Sequence, residues 1–163
     1  MTLFSIGHSN ARIHQFIELL RRYGIAVLVD TRSKPYSRYN PHFSRDALEQ
    51  SLHENGIEYA YLGDKIGGRP ESEEFYFDNG RVDYERLATA RFYLEGIERM
   101  LELAEEKPLA FMCAEGDYKK CHRYWLITRT LVERDIEVEH ILHSGEAIRS
   151  RASEFEPEQP SLF

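Results

Sequence analysis

Five short apolar segments, separated by longer stretches with helical spacing, limit most strongly what this chain can fold into. Residues 25–29 and 109–113 are continuous apolar runs, which is typical of strands covered on both faces. The alternation of such runs with amphipathic stretches predicts an α/β fold with a mostly parallel sheet of about five strands. Right-handed crossovers between parallel strands place helices on both faces, so we expect a three-layer α/β/α architecture.

The same pattern predicts where the elements begin and end. Gly24 and Gly56 are expected to stop two helices, because glycine is favoured directly after a helix end, and Ser44 is an expected N-cap. The strands are expected at residues 3–6, 25–29, 57–62, 109–113 and 136–142. The helical stretches are expected at residues 12–23, between Ser44 and Gly56, at 81–106 and at about 119–134.

Length and composition predict one domain followed by a tail. The chain has 163 residues, of which 42% are apolar and 30% are charged, and these values are typical of a folded domain rather than a disordered chain. Residues 1–150 are expected to form the domain. Residues 151–163 are expected to form a mobile tail, because the last ten residues are rich in Glu and Pro.

Charge, hydropathy and cysteine content exclude several classes of protein. The net charge of −7 argues against a general nucleic-acid coat, which needs positive charge. No apolar run is long enough to span a membrane, and the first residues resemble no secretory signal. Two cysteines are too few for a disulfide framework. We therefore expect a cytoplasmic protein with reduced thiols and no membrane partner.

Glycine and polar residues follow each of the five predicted strands. In α/β sheets of this kind, ligands bind beyond the carboxyl ends of the strands. If the strands are parallel, the segments that follow them meet at one edge of the sheet and line a shared pocket. These segments are residues 7–10, 30–38, 63–70, 113–123 and 143–145.

Arginines in these segments predict that the pocket binds an anion. Arginine binds phosphate and carboxylate through a planar fork of N–H groups, and paired glycines let the backbone approach a ligand closely. The ligand would be an anionic small molecule, a nucleotide or a nucleic-acid end. Alternatively, the arginines form structural ion pairs with neighbouring acidic residues. The residues expected to bind the anion are Ser9, Arg32, Arg38, Gly67, Gly68, Arg69, His122 and Arg123.

His8, Asp30 and Glu115 are the candidate groups for proton transfer. Histidine is the side chain that titrates nearest to neutral pH, and a carboxylate buried at a strand end can act as a general base. His8 directly follows Gly7 at a predicted strand end. A purely structural hydrogen bond to a loop is the alternative role for His8.

Cys113 is a candidate nucleophile, because it ends a predicted strand just before a loop and a helix start. A helix N-terminus stabilises a thiolate, an arrangement that cysteine phosphatases and rhodanese-like sulfurtransferases use. The phosphatase spacing would need arginine where this chain has Lys119. Cys113 could instead be a small buried residue, and Cys121 is expected to pack on the core face of its helix.

The thiols and histidines do not predict a metal site. Seven residues separate Cys113 from Cys121, which His122 follows directly, and this is not a usual spacing for zinc ligands. No metal ligand is therefore assigned. No motif in the chain names a cofactor.

Four motifs in order resemble the DUF488 family, a domain of unknown function. They are residues 6–10 (Ile-Gly-His-Ser-Asn), the pair Asp30-x-Arg32, residues 62–70 with their Gly-Gly-Arg-Pro end, and residues 113–123 with their Cys-His-Arg end. The resemblance extends to about residue 150. It implies a compact bacterial or archaeal α/β domain, and it implies no substrate or catalytic residue.

The last residues resemble the short peptide by which bacterial polymerases and repair proteins dock on the DNA sliding clamp. Leu162 and Phe163 would be the apolar anchors at the end of a polar tail, with Gln159 preceding them. The DNA sliding clamp is therefore a candidate partner. Alternatively, Leu162 and Phe163 fold back on the domain.

Three functions follow from these observations. The first is an enzyme of nucleic-acid metabolism that acts on a nucleotide, a nucleic-acid end or another phosphorylated substrate. The second is a non-catalytic binding module with the same anion pocket, tethered to the clamp by its tail. The third is a sulfurtransferase-like or phosphatase-like enzyme in which Cys113 is the nucleophile.

Overall fold

Six strands form one sheet in the computed structural model, which describes residues 1–156. The strands are β1 Thr2–Gly7, β2 Val27–Asp30, β3 Glu58–Tyr61, β4 Leu109–Cys113, β5 Glu137–Ile141 and β6 Ala147–Ser150. They lie in the order β3-β2-β4-β1-β5-β6. Strands β1 to β5 are parallel, and β6 pairs antiparallel with β5. The predicted α/β fold with a mostly parallel sheet is confirmed, with one strand more than expected.

Within residues 1–156, six α-helices connect or follow the strands. They are α1 Ile13–Arg22, α2 Arg45–Glu54, α3 Gly63–Ile66, α4 Tyr84–Leu87, α5 Arg91–Glu106 and α6 Arg129–Glu133. A π-helix, Arg123–Thr128, leads directly into α6, and short 3-10 turns lie at Pro41–Phe43, Glu73–Phe75, Tyr118–Lys120 and Ala152–Phe155. None of the helices in this range has the length and apolar character needed to cross a membrane.

Strand β4 lies at the centre of the apolar core. Leu109 and Phe111 belong to one cluster of buried residues, whereas Ala110 and Met112 belong to a second. Successive side chains of a strand point to opposite faces, so the two clusters lie on opposite sides of β4. Residues of α5 and α6 contribute to the first cluster, and residues of α1 and α2 to the second. The finer three-layer arrangement stays a prediction.

The predicted helical stretch over residues 81–106 is wrong as one helix, because the helix is interrupted between α4 and α5. Ala90 has extended backbone angles, φ −68° and ψ 138°. Leu87 and Tyr93 are both fully buried in the same cluster. In a straight helix these two side chains, six positions apart, would be rotated by about 240° from each other. The break therefore lets both of them enter one core.

The chain after β6 folds back on the domain as far as the structure describes it. Phe155 packs against the ring of Tyr124, with 4.7 Å between the ring centroids. Residues 157–163 lie outside the described part of the chain. The predicted clamp-binding residues Gln159, Leu162 and Phe163 are among them, so both the mobile tail and clamp docking stay predictions.

Gly7, the last residue of β1, allows the loop after β4 to pass directly over it. A Cβ atom at this position would overlap the carbonyl oxygen of Glu115. Just beyond Gly7, the amides of His8 and Ser9 donate to the carbonyls of Cys113 (3.0 Å) and Ala114 (2.9 Å). Pairing between the two chain segments thus continues past the ends of β1 and β4.

We expect Gly7→Ala to lower the free energy of unfolding by about 1–3 kcal/mol, the usual cost of forcing extra atoms into a packed region. Urea unfolding measures this change. Gly116→Ala, in the loop that passes over Gly7, is the control. Its Cβ would lie 3.2 Å from the Cβ of Ser9, so the neighbouring atoms need a smaller adjustment. Equal losses in the two variants would contradict this account of Gly7.

Candidate functional site

One pocket, here called the central pocket, lies at the carboxyl ends of β1, β2 and β4 and has a volume of about 420 Å³. It brings together residues that are far apart in the sequence, because the register aligns Gly7 with Cys113 and Asp30 with Met112 across neighbouring strands. Of the residues predicted for a site, those that line the central pocket are His8, Arg32, Gly68, Arg69, Cys113, Glu115 and His122.

Other predicted residues lie beside or away from the central pocket. Asp30 and Arg123 are buried beneath it, and Ser9 and Gly67 adjoin its walls without lining it. Arg38 is exposed, and its guanidinium lies over the ring of Tyr39 at 5.9 Å from the centroid.

The segment after β5 lines a different surface. His143, Ser144 and Gly145 face a larger depression beside α1. The prediction that all five post-strand segments share one pocket is therefore wrong for this segment. The cause is the hairpin to the antiparallel β6, in which Gly145 adopts a positive φ of 94° and turns the chain back.

Asp30 and Arg32 form a buried ion pair that makes one wall of the central pocket. Asp30 Oδ1 accepts from Arg32 Nε at 2.9 Å, and Oδ2 accepts from Arg32 Nη2 at 2.8 Å. The hydroxyl of Tyr59 on β3 donates to Oδ2 at 2.6 Å. Since both carboxylate oxygens are engaged and Asp30 is 0% exposed, Asp30 orients Arg32 and does not face a ligand.

His8 is the predicted proton-transfer group that lies deepest in the central pocket. Its Nδ1 lies 2.8 Å from the carbonyl of Ser9, and its Nε2 lies 3.3 Å from Arg32 Nη1. These partners require Nδ1–H to donate and Nε2 to accept, which is the neutral imidazole. Burial lowers the pKa of His8 to about 4, and its ring stacks on Phe43 at 4.5 Å.

His122 supports the floor of the central pocket. Its Nε2 lies 3.1 Å from the carbonyl of Thr31, to which it donates, and burial lowers its pKa to about 4. A Cβ atom on Gly68 would lie 2.8 Å from the ring of His122. Gly68 was predicted to let the backbone approach a ligand closely. The group that approaches it closely is instead the imidazole of His122.

Two free cysteines meet at the end of the central pocket next to β4. Cys113 Sγ and Cys121 Sγ are 2.9 Å apart, and both line the pocket. The expectation that Cys121 packs on the core face of a helix is wrong, because Cys121 precedes the π-helix in an extended conformation. Within residues 1–156, no three Cys, His, Asp or Glu side chains are grouped so that they could hold a metal ion.

The two thiols differ in acidity. The hydrogen bond from Cys113 and the nearby Arg123 guanidinium lower the pKa of Cys121 to about 7. The same hydrogen bond, together with burial, raises the pKa of Cys113 well above its usual value. Cys121 is therefore the more acidic thiol of the pair.

Sequence reasoning missed four residues that shape the site. Helical spacing predicts a core position for Cys121. The apolar alternation of the strand that holds Tyr59 does not indicate its hydrogen bond to Asp30. Lys34 and Lys120 also line the central pocket. Their position in post-strand segments was the available signal, but surface lysines are too common for it to be specific.

We expect Asp30→Asn to lower the free energy of unfolding by about 3–5 kcal/mol, because it leaves the Arg32 guanidinium buried without a charged partner. Denaturant unfolding provides the measurement. Tyr59→Phe removes one hydrogen bond to the same carboxylate and should cost less, about 1–2 kcal/mol. Similar losses in the two variants would show that the ion pair is not the main contribution.

We expect the stability to decrease as the pH falls from about 6.5 towards 4. Burial lowers the pKa of His8 and His122 to about 4 and that of His140, a fully buried residue of β5, to about 3, so unfolding takes up protons below the ordinary histidine pKa. Each histidine contributes up to about 1.4 kcal/mol per pH unit in this window. Urea unfolding between pH 7.5 and 4.5 (roughly the window set by these shifts) gives the slope, and His140→Gln should reduce it. A stability independent of pH over this range would contradict the burial of neutral imidazoles.

Comparison with known proteins identifies the family of this chain. The comparisons with curated proteins and with solved structures give no match. The family model described as "Domain of unknown function DUF488" matches residues 12–130, a range that contains most of the central pocket and both cysteines. The chain belongs to the DUF488 family.

Proposed function

We propose that the central pocket binds a small anion that carries a phosphate group, such as a nucleotide or a nucleic-acid end, and that the chain acts on it as an enzyme. The observation that carries this proposal is the charge of the pocket wall. Within the described chain, Glu115 is the one acidic residue that lines the pocket, whereas the basic residues that line it are Arg32, Lys34, Arg69 and Lys120. A chain with a net charge of −7 thus has a positive pocket at the edge of its sheet.

Arg32 is the fixed element of the proposed anion site. A guanidinium has five N–H groups, of which three are directed at Asp30 and His8. The other two remain for a ligand, in a group whose orientation is already set by a buried carboxylate. A donor that is held in place before binding loses little entropy when the anion arrives. Lys34, Arg69 and Lys120 are exposed and would add attraction at the entrance.

His8 and Glu115 are the groups we propose for proton transfer. A neutral imidazole, whose pKa burial lowers to about 4, can accept a proton at Nε2, which Arg32 Nη1 contacts only at 3.3 Å. Glu115 is exposed at the pocket and could exchange protons with solvent. Asp30, which sequence reasoning grouped with these two residues, would position Arg32 instead.

A non-catalytic module with the same anion pocket is the alternative. Both proposals predict the same binding, and they differ in turnover. Incubation with nucleotides and with 5′-phosphorylated oligonucleotides, followed by mass spectrometry of the products, separates them. The enzyme proposal fails if ligands that bind are recovered unchanged.

We expect Arg69→Met to weaken phosphate binding at least about tenfold. A tenfold change in affinity corresponds to about 1.4 kcal/mol, which is close to the low end of the range for a hydrogen bond to a charged group. Inorganic phosphate and a nucleoside monophosphate are the probes, and the rise in melting temperature with ligand concentration gives the affinity.

Arg38→Met is the matched control, because Arg38 is also an exposed arginine but does not line the central pocket. It removes the same charge from the molecule and should leave the affinity unchanged. Equal weakening in both variants would show that the anion responds to overall charge and not to this pocket. If neither phosphate nor the nucleoside monophosphate raises the melting temperature of the unmodified chain, the proposed function is rejected.

A further inference from the structure

The two thiols of the central pocket lie close enough to react with each other. Their sulfur atoms are 2.9 Å apart, compared with about 2.05 Å in a disulfide bond, and both cysteines are free. Cys113 is 2% exposed, whereas Cys121 is partly exposed. A molecule in the pocket would therefore reach Cys121 first, with Cys113 directly behind it.

A buried cation lies beside this pair and has no carboxylate partner within residues 1–156. Arg123 is 1% exposed, and its Nη2 donates to the carbonyls of Glu115 (3.3 Å) and Gly116 (3.4 Å). Its Nε and Nη1 are buried and have no hydrogen-bond partner among the described residues. A buried charge without compensation is costly, and the group beside it that can supply a negative charge is the cysteine pair.

One ionised thiol accounts for both observations. Arg123 lowers the pKa of Cys121, and the proton that Cys113 retains is shared in the contact between the two sulfur atoms. The loop that links the cysteines folds around the guanidinium through its carbonyls. The fold thus keeps a thiolate, a thiol and a cation together at the wall of a positive pocket.

We propose that Cys121 and Cys113 form a catalytic dithiol that reduces a small anionic disulfide. A phosphatase or a sulfurtransferase needs one thiol, whereas the second thiol behind the first is what a disulfide reductase needs to resolve a mixed disulfide. The proposed thiol chemistry is supported by the short distance between the two sulfur atoms and by the buried guanidinium of Arg123. The preference for an anionic partner rests on the function proposed above.

The reaction proceeds in two exchange steps. The Cys121 thiolate attacks one sulfur of the substrate disulfide, the substrate S–S bond breaks, and the first substrate thiolate leaves. Cys113 then gives its proton to that thiolate, and its sulfur attacks Cys121 Sγ and displaces the second substrate thiolate. One substrate disulfide has become one thiol and one thiolate, and the chain holds a Cys113–Cys121 disulfide. An external dithiol, by the same exchange in reverse, regenerates the reduced chain.

The first test follows the cysteines by mass spectrometry with two small disulfides, oxidised glutathione, which is anionic, and bis(2-hydroxyethyl) disulfide, which is neutral. The unmodified chain is expected to lose two hydrogen atoms and to form the Cys113–Cys121 disulfide. Cys113→Ser is expected to stop at a mixed disulfide on Cys121. Cys121→Ser is expected to react at least about tenfold more slowly than Cys113→Ser, since a buried thiol attacks poorly.

Peptide mapping of the unmodified chain at early times keeps the test independent of how well the variants fold. The first adduct is expected on Cys121. A first adduct on Cys113, equal rates in the two variants, or an unmodified chain that forms no internal disulfide would overturn the catalytic dithiol.

The pair of disulfides separates this inference from the proposed function. We expect the anionic disulfide to react at least about tenfold faster, the low end of what electrostatic attraction provides, and Arg69→Met to remove most of that advantage while Arg38→Met retains it. Equal rates with both disulfides would leave the dithiol in place and overturn its anionic substrate, while the phosphate titration decides the anion pocket separately. Phosphate binding without any thiol exchange would reject the dithiol and keep the pocket.

Discussion

The buried pair of Asp30 and Arg32 is the interaction on which the arrangement of the site depends. Asp30 ends β2, receives a hydrogen bond from Tyr59 on β3, and holds Arg32 by two further bonds. Arg32 in turn reaches His8 beyond β1. A single carboxylate therefore links residues of three strands at the edge of the sheet. Because an unpaired buried charge is so unfavourable, the carboxylate and the guanidinium hold each other in place.

Arg32 and Arg123 are both buried, but their charges are balanced in different ways. Arg32 has a carboxylate partner 2.8 Å away that is fully buried. Arg123 has no ion-pair partner among the described residues and lies next to the thiols. A carboxylate that is fully hydrogen-bonded is chemically inert, whereas a thiolate is a nucleophile. The first arginine thus makes a stable wall, and the second lies where it would activate the thiol of the proposed dithiol.

Much of this arrangement could be predicted from the sequence, because it depends on periodicity. Short apolar segments predicted five of the six strands, and the parallel order that follows brings residues after β1, β2 and β4 to one pocket. What periodicity does not contain is the direction of each side chain. Arg38 turns away to stack on Tyr39, and Arg123 turns inward. Cys121 faces the pocket because it precedes the π-helix in an extended conformation, and nothing in the local spacing indicates this conformation.

The proposed anion and the proposed Cys121 thiolate are both negative and share one pocket, because Cys121 also lines it. The hydrogen bond from Cys113 and the Arg123 guanidinium lower the pKa of Cys121, since a hydrogen bond to the charged form and a nearby positive charge both favour that form of an acid. An anion bound in the same pocket would repel the thiolate and raise the thiol pKa. By thermodynamic reciprocity, formation of the thiolate must weaken binding of the anion by the same factor. For the proposed disulfide substrate, this repulsion disappears after the first exchange step. The negative charge on Cys121 is then replaced by a neutral mixed disulfide, and the leaving thiolate carries the charge away. The pocket is then once more free to hold the anionic half of the substrate while Cys113 completes the reaction.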